Sequence, residues 1–149
     1  MASAKPVSAQ GPKKKVQVWI HWNQQWVLIL KTIPERGSMW QPVTGHVEPG
    51  ESSEQGAVRE ATEETQLIFE KPIDLEIEHH FKGRFGPVVE RVYSLETKGK
   101  IAPIVEIDPK EHVEWKWVKP EDALQVLRYK SQKDSLAKMI REVWKKNFP

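Results

Sequence analysis

Apolar and polar positions alternate near the start of the chain. Val16, Val18 and Ile20 recur at every second position, which is the period of a strand with one buried face. Residues 23–25 are polar and predict a turn, and the apolar run 26–30 predicts the strand that returns from it. The first element of the fold is therefore predicted to be a β-hairpin with one face in the core.

The same alternation predicts further strands. Residues 73–81 and 88–96 alternate well and indicate a second hairpin, while residues 39–43 indicate a short strand. Residues 113–117 place apolar or aromatic side chains at every second position and predict a strand late in the chain. The segment between the last two predicted strands, 98–109, is interpreted as a loop that includes a short edge strand formed by its apolar residues.

Two helical regions complete the pattern. Ser52 or Ser53 is expected to cap a helix that ends near Thr65. Pro120 suits the first turn of a second region, in which apolar residues from 124 to 144 fit one long helix or two shorter ones. Strands interleaved with helices predict an α/β or α+β fold whose sheet is covered on both faces.

Composition narrows the class of protein. The 149 residues carry a formal net charge of +2, with 30% charged residues and no cysteine. So small a net charge gives no reason to expect bulk nucleic-acid binding. The lack of cysteine excludes thiolate metal sites and thiol nucleophiles. No apolar run is long enough to cross a membrane, so we expect a cytoplasmic protein. Residues 1–12 predict a disordered leader, followed by a single domain over residues 13–149.

Three carboxylates share one face of the predicted helix. Glu60, Glu63 and Glu64 lie at positions i, i+3 and i+4, where like charges repel each other. A hard divalent cation such as Mg²⁺ prefers oxygen ligands and would offset that repulsion. The same spacing is also common on exposed, solvated helices, so by itself it leaves both interpretations open.

The surrounding residues favour the metal site, because residues 45–67 resemble the Nudix box. The box consists of a glycine, a glutamate six positions later, an Arg-Glu pair eight positions beyond that, an apolar residue, a Glu-Glu pair, a glycine and a final apolar residue. Gln66 stands where the box has its second glycine, which normally ends the helix in a left-handed conformation. The matching positions are Gly45, Glu51, Arg59, Glu60, Ala61, Glu63, Glu64 and Leu67.

The resemblance implies an α/β fold of the Nudix type, an α/β/α sandwich with a central mixed sheet. It also implies that Glu60 and Glu64 bind the metal and that Glu63 binds it or orients its water. The main-chain carbonyl of Gly45 is implied as a further ligand. Mg²⁺ is the expected cofactor, and Mn²⁺ the expected substitute.

The box resemblance further implies a structural role for the remaining charged pair. Glu51 and Arg59 are expected to form a salt bridge that braces the loop against the helix.

Two segments outside the box indicate subfamilies. Residues 40–48 and 111–118 are similar to the corresponding segments of dihydroneopterin triphosphate diphosphatases, in which the residue matching Glu111 is a metal ligand or the general base. Residues 45–51 and the Glu-His pair that begins at Glu111 also resemble asymmetric diadenosine tetraphosphate hydrolases. Both resemblances imply a small-molecule nucleotide substrate, and many relatives form homodimers.

Three residues before the box are candidates for substrate binding. Lys31 and Arg36 flank the loop that leads to the box, where cationic side chains could hold phosphates. Trp40, at the start of the box-like segment, offers a surface on which a base could stack.

The implied reaction is attack of water on a phosphorus of a polyphosphate, with Glu63, Glu64 or Glu111 as catalytic carboxylates. A nucleoside or pterin triphosphate would give the monophosphate and pyrophosphate. A dinucleoside polyphosphate, a capped RNA end or a nucleotide sugar is the alternative substrate. A Nudix domain that senses nucleotides without hydrolysing them is a further alternative, against which the intact acids count.

Overall fold

The computed structural model describes residues 11–149, so most of the predicted leader, residues 1–10, lies outside the described residues. Seven strands and three helices form this part of the chain. The strands are β1 (Lys13–Trp22), β2 (Trp26–Thr32), β3 (Trp40–Gln41), β4 (Val43–His46), β5 (Ile73–Gly83), β6 (Gly86–Thr97) and β7 (His112–Val118). The helices are α1 (Ser53–Thr65), α2 (Pro120–Val126) and α3 (Lys130–Glu142), and Pro34–Arg36 forms a 3-10 turn.

All seven strands belong to one mixed sheet. Its main order is β3-β2-β1-β6-β5, with β4 paired to β1 and β7 paired to β2. The pairing of β1 with β6 is parallel, and the other pairings are antiparallel. Strands β1 and β2 pair only close to their turn, at His21–Val27 and Trp22–Trp26. Beyond that point they part, and each pairs with a different strand.

Helices cover both faces of the sheet. On one face the core includes Val16 and Leu30 together with Ala57 and Ala61 of α1. On the other face the core includes Trp19 and the apolar side of α3. The predicted α/β/α sandwich with a central mixed sheet is confirmed. Within residues 11–149, no helix is both long and apolar enough to span a membrane.

The prediction that β1 has only one buried face is wrong. Gln17, Trp19 and His21 are as buried as Val16, Val18 and Ile20, because α3 packs on Trp19 and Trp144 contacts His21 from the second face. The two polar side chains are hydrogen-bonded there: the Gln17 amide donates to Glu90, and His21 Nδ1 accepts from the indole of Trp144 at 3.0 Å. Hydrogen bonding of buried polar groups explains why polar alternation misled the prediction.

Two other strand predictions need correction. The single strand predicted over 39–43 is divided into β3 and β4 at Pro42, which has no backbone N–H to contribute to a ladder. Strand β4 then continues through Gly45 to His46. No strand forms within 98–109, where Ile101 and Ile104 are exposed instead.

Local sequence determines where α1 begins. Ser52 is the N-cap: its hydroxyl accepts from the backbone N–H of Gln55, whose side chain accepts from the backbone N–H of Ser52. The small residues Ala57 and Ala61 are fully buried and let the helix lie close to the sheet. The apolar region after Pro120 forms two helices, which settles the alternative left open by the sequence.

Candidate functional site

An ion pair ties the loop before α1 to the helix. Arg59 Nε and Nη2 donate to the two carboxylate oxygens of Glu51 at 2.8 and 3.1 Å, a bidentate arrangement. Arg59 Nη2 also donates to the main-chain oxygen of His46 at 2.8 Å. The hydrogen bonds from Arg59 lower the pKa of Glu51 and raise that of Arg59. The guanidinium therefore fixes the end of β4 against the middle of α1.

Glu60 lies directly over Gly45. A Cβ atom at position 45 would collide with the Glu60 carboxyl group, so the glycine is needed for this close approach. Arg59 Nη1 donates to Glu60 at 3.3 Å and to the more exposed Glu63 at 3.2 Å. Burial raises the pKa of Glu60 to about 7, against the opposing effect of Arg59. A cation near Glu60 would relieve this penalty by stabilising its ionised form.

Glu64 is the buried acid of the helix. Only 2% of its surface is exposed, and its Oε1 lies 3.0 Å from Nδ1 of His112, at the start of β7. An ionised carboxylate only accepts hydrogen bonds, so Nδ1 of His112 carries the proton in this pair. His112 thereby fixes the orientation of Glu64 from a strand 48 residues further along the chain.

A turn before β7 brings two more carboxylates to Glu64. One oxygen each from Glu64, Asp108 and Glu111 lie within 4.8 Å of one another. The turn is held by the backbone N–H groups of Glu111 and His112, which both donate to the Asp108 carbonyl at 3.0 Å. Burial and the charge of Glu64 raise the pKa of Glu111. Three acids so close together repel one another, and Arg36, which donates to Glu111 at 3.0 Å, directly offsets the charge of that one acid.

The donor set fits a divalent metal ion. The oxygens of Glu64, Asp108 and Glu111 are the hard ligands that Mg²⁺ takes, and the burial of Glu64 makes an accidental surface cluster a poor explanation. Glu60 and Glu63 lie outside this group of three and face Arg59. Asp108 was not among the residues predicted from the sequence. The available signal was its position before a proline, which is typical of a turn but says nothing about proximity to Glu64.

The departure from the box at Gln66 leaves the helix end intact. Gln66 has φ 60° and ψ 24°, the left-handed conformation that glycine usually supplies there. Its backbone N–H donates to the Thr62 carbonyl at 2.8 Å, which closes the last turn.

The three substrate-binding candidates lie in two places. Arg36 donates to Glu111 at 3.0 Å and so stands beside the acid cluster. Lys31 lies 3.9 Å from Glu114, with its ammonium 6.0 Å from the centre of the Trp40 ring. The structure thus brings Arg36 to the acids and pairs Lys31 with Trp40 at the junction of β2 and β3, and the roles of all three stay predictions.

A family model matches most of the chain. Residues 12–142 match the model described as the NUDIX domain. The chain belongs to the Nudix family. It is a Nudix pyrophosphohydrolase, an enzyme that cleaves a phosphoanhydride bond. Enzymes of this family generally use divalent metals and act on small-molecule nucleotides.

Curated relatives share parts of the chain. It is 25% identical over 115 residues to the dihydroneopterin triphosphate diphosphatase of Haemophilus influenzae, covering 68% of this chain and 70% of that protein. It is 30% identical over 95 residues to the asymmetrical bis(5'-nucleosyl)-tetraphosphatase of Caenorhabditis elegans, covering 60% and 65%. It is 47% identical over 55 residues to the octanoyltransferase of Myxococcus xanthus, covering 37% of this chain but only 15% of that protein.

Solved structures agree on the fold. An Ap4A hydrolase of C. elegans in a binary complex superposes with a TM-score of 0.72 at 23% identity, covering 90% of this chain and 99% of that one. The dihydroneopterin triphosphate pyrophosphohydrolase of E. coli superposes with a TM-score of 0.71 at 23% identity, covering 85% and 94%.

Proposed function

We propose that the chain hydrolyses a nucleoside or pterin triphosphate, in the presence of Mg²⁺, to the monophosphate and pyrophosphate. The observation that carries this proposal is the convergence of Glu64, Asp108 and Glu111 on one point, with Glu64 buried and oriented by His112. The similarity to a dihydroneopterin triphosphate diphosphatase supports the choice of substrate class.

Each acid has a proposed role. Glu64, Asp108 and Glu111 would hold a metal ion. Glu60, Glu63 and the main-chain carbonyl of Gly45 would be further metal ligands. Mg²⁺ bound there would neutralise phosphate charge and make a water molecule more acidic. The proximity of Glu64, Asp108 and Glu111 supports the first three assignments, and the close approach of Glu60 to Gly45 supports their joining the same site.

Proton transfer and phosphate binding are assigned to the residues at the cluster. Glu111, or one of the box glutamates, takes the proton from the attacking water as the water oxygen bonds to phosphorus. The phosphoanhydride bond between the α- and β-phosphates breaks in the same step, which gives the monophosphate and pyrophosphate. Arg36 would bind the departing pyrophosphate through charge-assisted hydrogen bonds, which its position 3.0 Å from Glu111 supports. A homodimer and a cytoplasmic location remain predictions.

A substrate panel tests the proposal. The full chain is incubated with Mg²⁺ and dihydroneopterin triphosphate, GTP, ATP, diadenosine tetraphosphate or a nucleotide sugar, and the products are separated by chromatography. We expect a triphosphate to give monophosphate and pyrophosphate, with activity lost in EDTA and restored by Mg²⁺ or Mn²⁺. Cleavage of diadenosine tetraphosphate alone would support the alternative, which the C. elegans relative favours. Hydrolysis that persists in EDTA would contradict the metal site.

A further inference from the structure

A cleft of about 740 Å³ opens on the sheet face opposite α1, at the beginning of α3. Its walls include two half-exposed aromatic side chains, Phe81 and Tyr129. Polar side chains from several strands also line it, among them Thr44 and Glu90. The lining also includes Lys15 and Lys82, and an aromatic and polar cleft of this size can hold a flat heterocycle.

Glu90 is the buried acid of this cleft. Only 6% of its surface is exposed, and its Oε1 accepts a hydrogen bond from the Gln17 amide at 3.0 Å. Within residues 11–149 it forms no ion pair, although Lys15 is its neighbour across the β1–β6 pairing. A buried carboxylate with one neutral donor is poorly compensated, so its second oxygen is available to a ligand that donates hydrogen bonds.

The residues behind Glu90 fix its role as an acceptor. The indole N–H of Trp19 can only donate, and it does so to Oε1 of Gln17 at 3.0 Å. The other end of the Gln17 side chain, its NH₂ group, must therefore point toward Glu90. Trp19, Gln17 and Glu90 thus form a buried chain of two hydrogen bonds that fixes Oε1 of Glu90, while Glu90 also lines the cleft.

A second acceptor lines the same cleft without a partner. The side-chain oxygen of Gln132, in the first turn of α3, is buried and accepts no hydrogen bond from the described residues. With 6% of its surface exposed, Gln132 is as buried as Glu90. Two buried side-chain acceptors in one cleft call for a ligand with more than one N–H donor.

We infer that this cleft binds a base that presents a ring N–H beside an exocyclic amino group, the edge shared by guanine and pterin. Two adjacent donors can bind both oxygens of one carboxylate, as a bidentate guanidinium does, because Oε1 of Glu90 keeps a second lone pair beside the bond from Gln17. Adenine presents an amino group beside an unprotonated ring nitrogen, whose lone pair would face the second oxygen of Glu90. Glu90 therefore selects guanine or pterin against adenine.

The cleft and the proposed reaction centre meet at β4, so this inference rests on the proposed function and narrows its substrate. Thr44 lines the cleft, and the next residue, Gly45, lies against Glu60. A base beside Glu90 would direct its phosphate chain past β4 toward the acids.

Binding of monophosphates tests the inference without requiring hydrolysis. Isothermal titration calorimetry on the full chain compares GMP, IMP, AMP and neopterin monophosphate (hereafter neopterin). IMP differs from GMP only in lacking the 2-amino group. We expect GMP or neopterin to bind about 5- to 150-fold more tightly than AMP, and GMP more tightly than IMP. The stronger of the GMP and neopterin signals identifies which source of the shared edge is preferred.

A matched pair of variants assigns the preference to Glu90. Glu90→Gln keeps the volume but replaces one acceptor by a donor, so the preference over AMP should disappear. Glu78→Gln is the control, because Glu78 lines the same cleft but already accepts from Arg91 at 2.8 Å. Thermal unfolding establishes that both variants are folded. The ligand comparison on the unchanged chain stands even if Glu90→Gln does not fold.

The outcomes separate this inference from the proposed function. Equal affinity for GMP, IMP and AMP, or a preference that survives in folded Glu90→Gln, would overturn the base assignment, whatever the chain hydrolyses. Selective binding of GMP or neopterin by a chain that hydrolyses no triphosphate would support the cleft and refute the proposed function.

Discussion

The buried His21 predicts a measurable pH dependence of stability. His21 is 3% exposed, and burial lowers its pKa from 6.5 to about 4. In the folded protein it is therefore neutral at pH 5–6, while in the unfolded chain it binds a proton below about pH 6.5. Since the unfolded state binds more protons in this window, the free energy of unfolding falls as the pH drops from 6.5 to 4.

The size of this effect follows from the two pKa values. A difference of 2.5 units (6.5 minus 4) corresponds to about 3 kcal/mol across the whole window. His21→Asn should remove this loss, because the Asn side-chain oxygen can still accept from Trp144 but does not titrate. The variant should therefore be less stable at pH 7, owing to its smaller volume, yet nearly insensitive to pH through this site.

Urea denaturation of both proteins between pH 4 and pH 7, followed by circular dichroism, measures the difference. Comparing the two proteins removes the contribution of Glu60, whose pKa of about 7 acts in an overlapping window with the opposite sign. His80→Asn is the control, because His80 is exposed. If the difference in unfolding free energy between wild type and His21→Asn stayed constant from pH 4 to pH 7, the reasoning about burial would be refuted.

Substitutions at three further positions, Arg59, Gln66 and His112, test the brace, the end of α1 and the orientation of Glu64. Arg59→Ala should lower the melting temperature by roughly 5 °C or more, and Arg59→Lys should lower it by less. Arg91→Ala is the control, because it removes a more exposed ion pair and should change the melting temperature little. Equal effects of Arg59→Ala and Arg91→Ala would contradict the bracing role of Arg59. Gln66→Gly should raise the unfolding free energy by about 0.5–1 kcal/mol by relieving its left-handed conformation, and a decrease in urea denaturation would contradict that. His112→Gln should reduce kcat about 10- to 100-fold, while His112→Asn, which keeps a donor at the Nδ1 position facing Glu64, should retain most of the kcat. Both kcat and Mn²⁺ affinity are measured, and an equal loss in the two variants would contradict the proposal that His112 orients Glu64.

Local features of the sequence predicted the parts of the site that lie close together in the chain. The spacing within residues 45–67 placed Glu64 on α1, and Ser52 was recognised as a candidate cap because capping is a local interaction. The close approach of Gly45 to Glu60 is likewise consistent with the box. These features depend on contacts within a short segment, which periodicity and capping rules describe well.

Long-range features could not be read from the sequence in the same way. Asp108 reaches Glu64 because β7 pairs with β2 and because the backbone N–H of Glu106 donates to the Thr65 carbonyl at 3.0 Å. No period connects a turn residue to a helix 44 positions earlier. The burial of Gln17 and Glu90 was hidden because polar residues on a strand normally indicate solvent. Their pairing joins two strands that lie 73 residues apart in the chain, through the hydrogen bond from the Gln17 amide to Glu90.

The central claim is that Glu64 belongs to a metal-dependent hydrolytic site, and the kcat of Glu64→Gln tests it most directly. The amide preserves volume but removes the ligand charge, so we expect kcat for the preferred triphosphate to fall by several orders of magnitude, on the order of 10³ or more, while the protein stays folded. Glu54→Gln, an exposed change on the same helix, should leave kcat unchanged. A folded Glu64→Gln protein with kcat within about threefold of wild type would contradict the account.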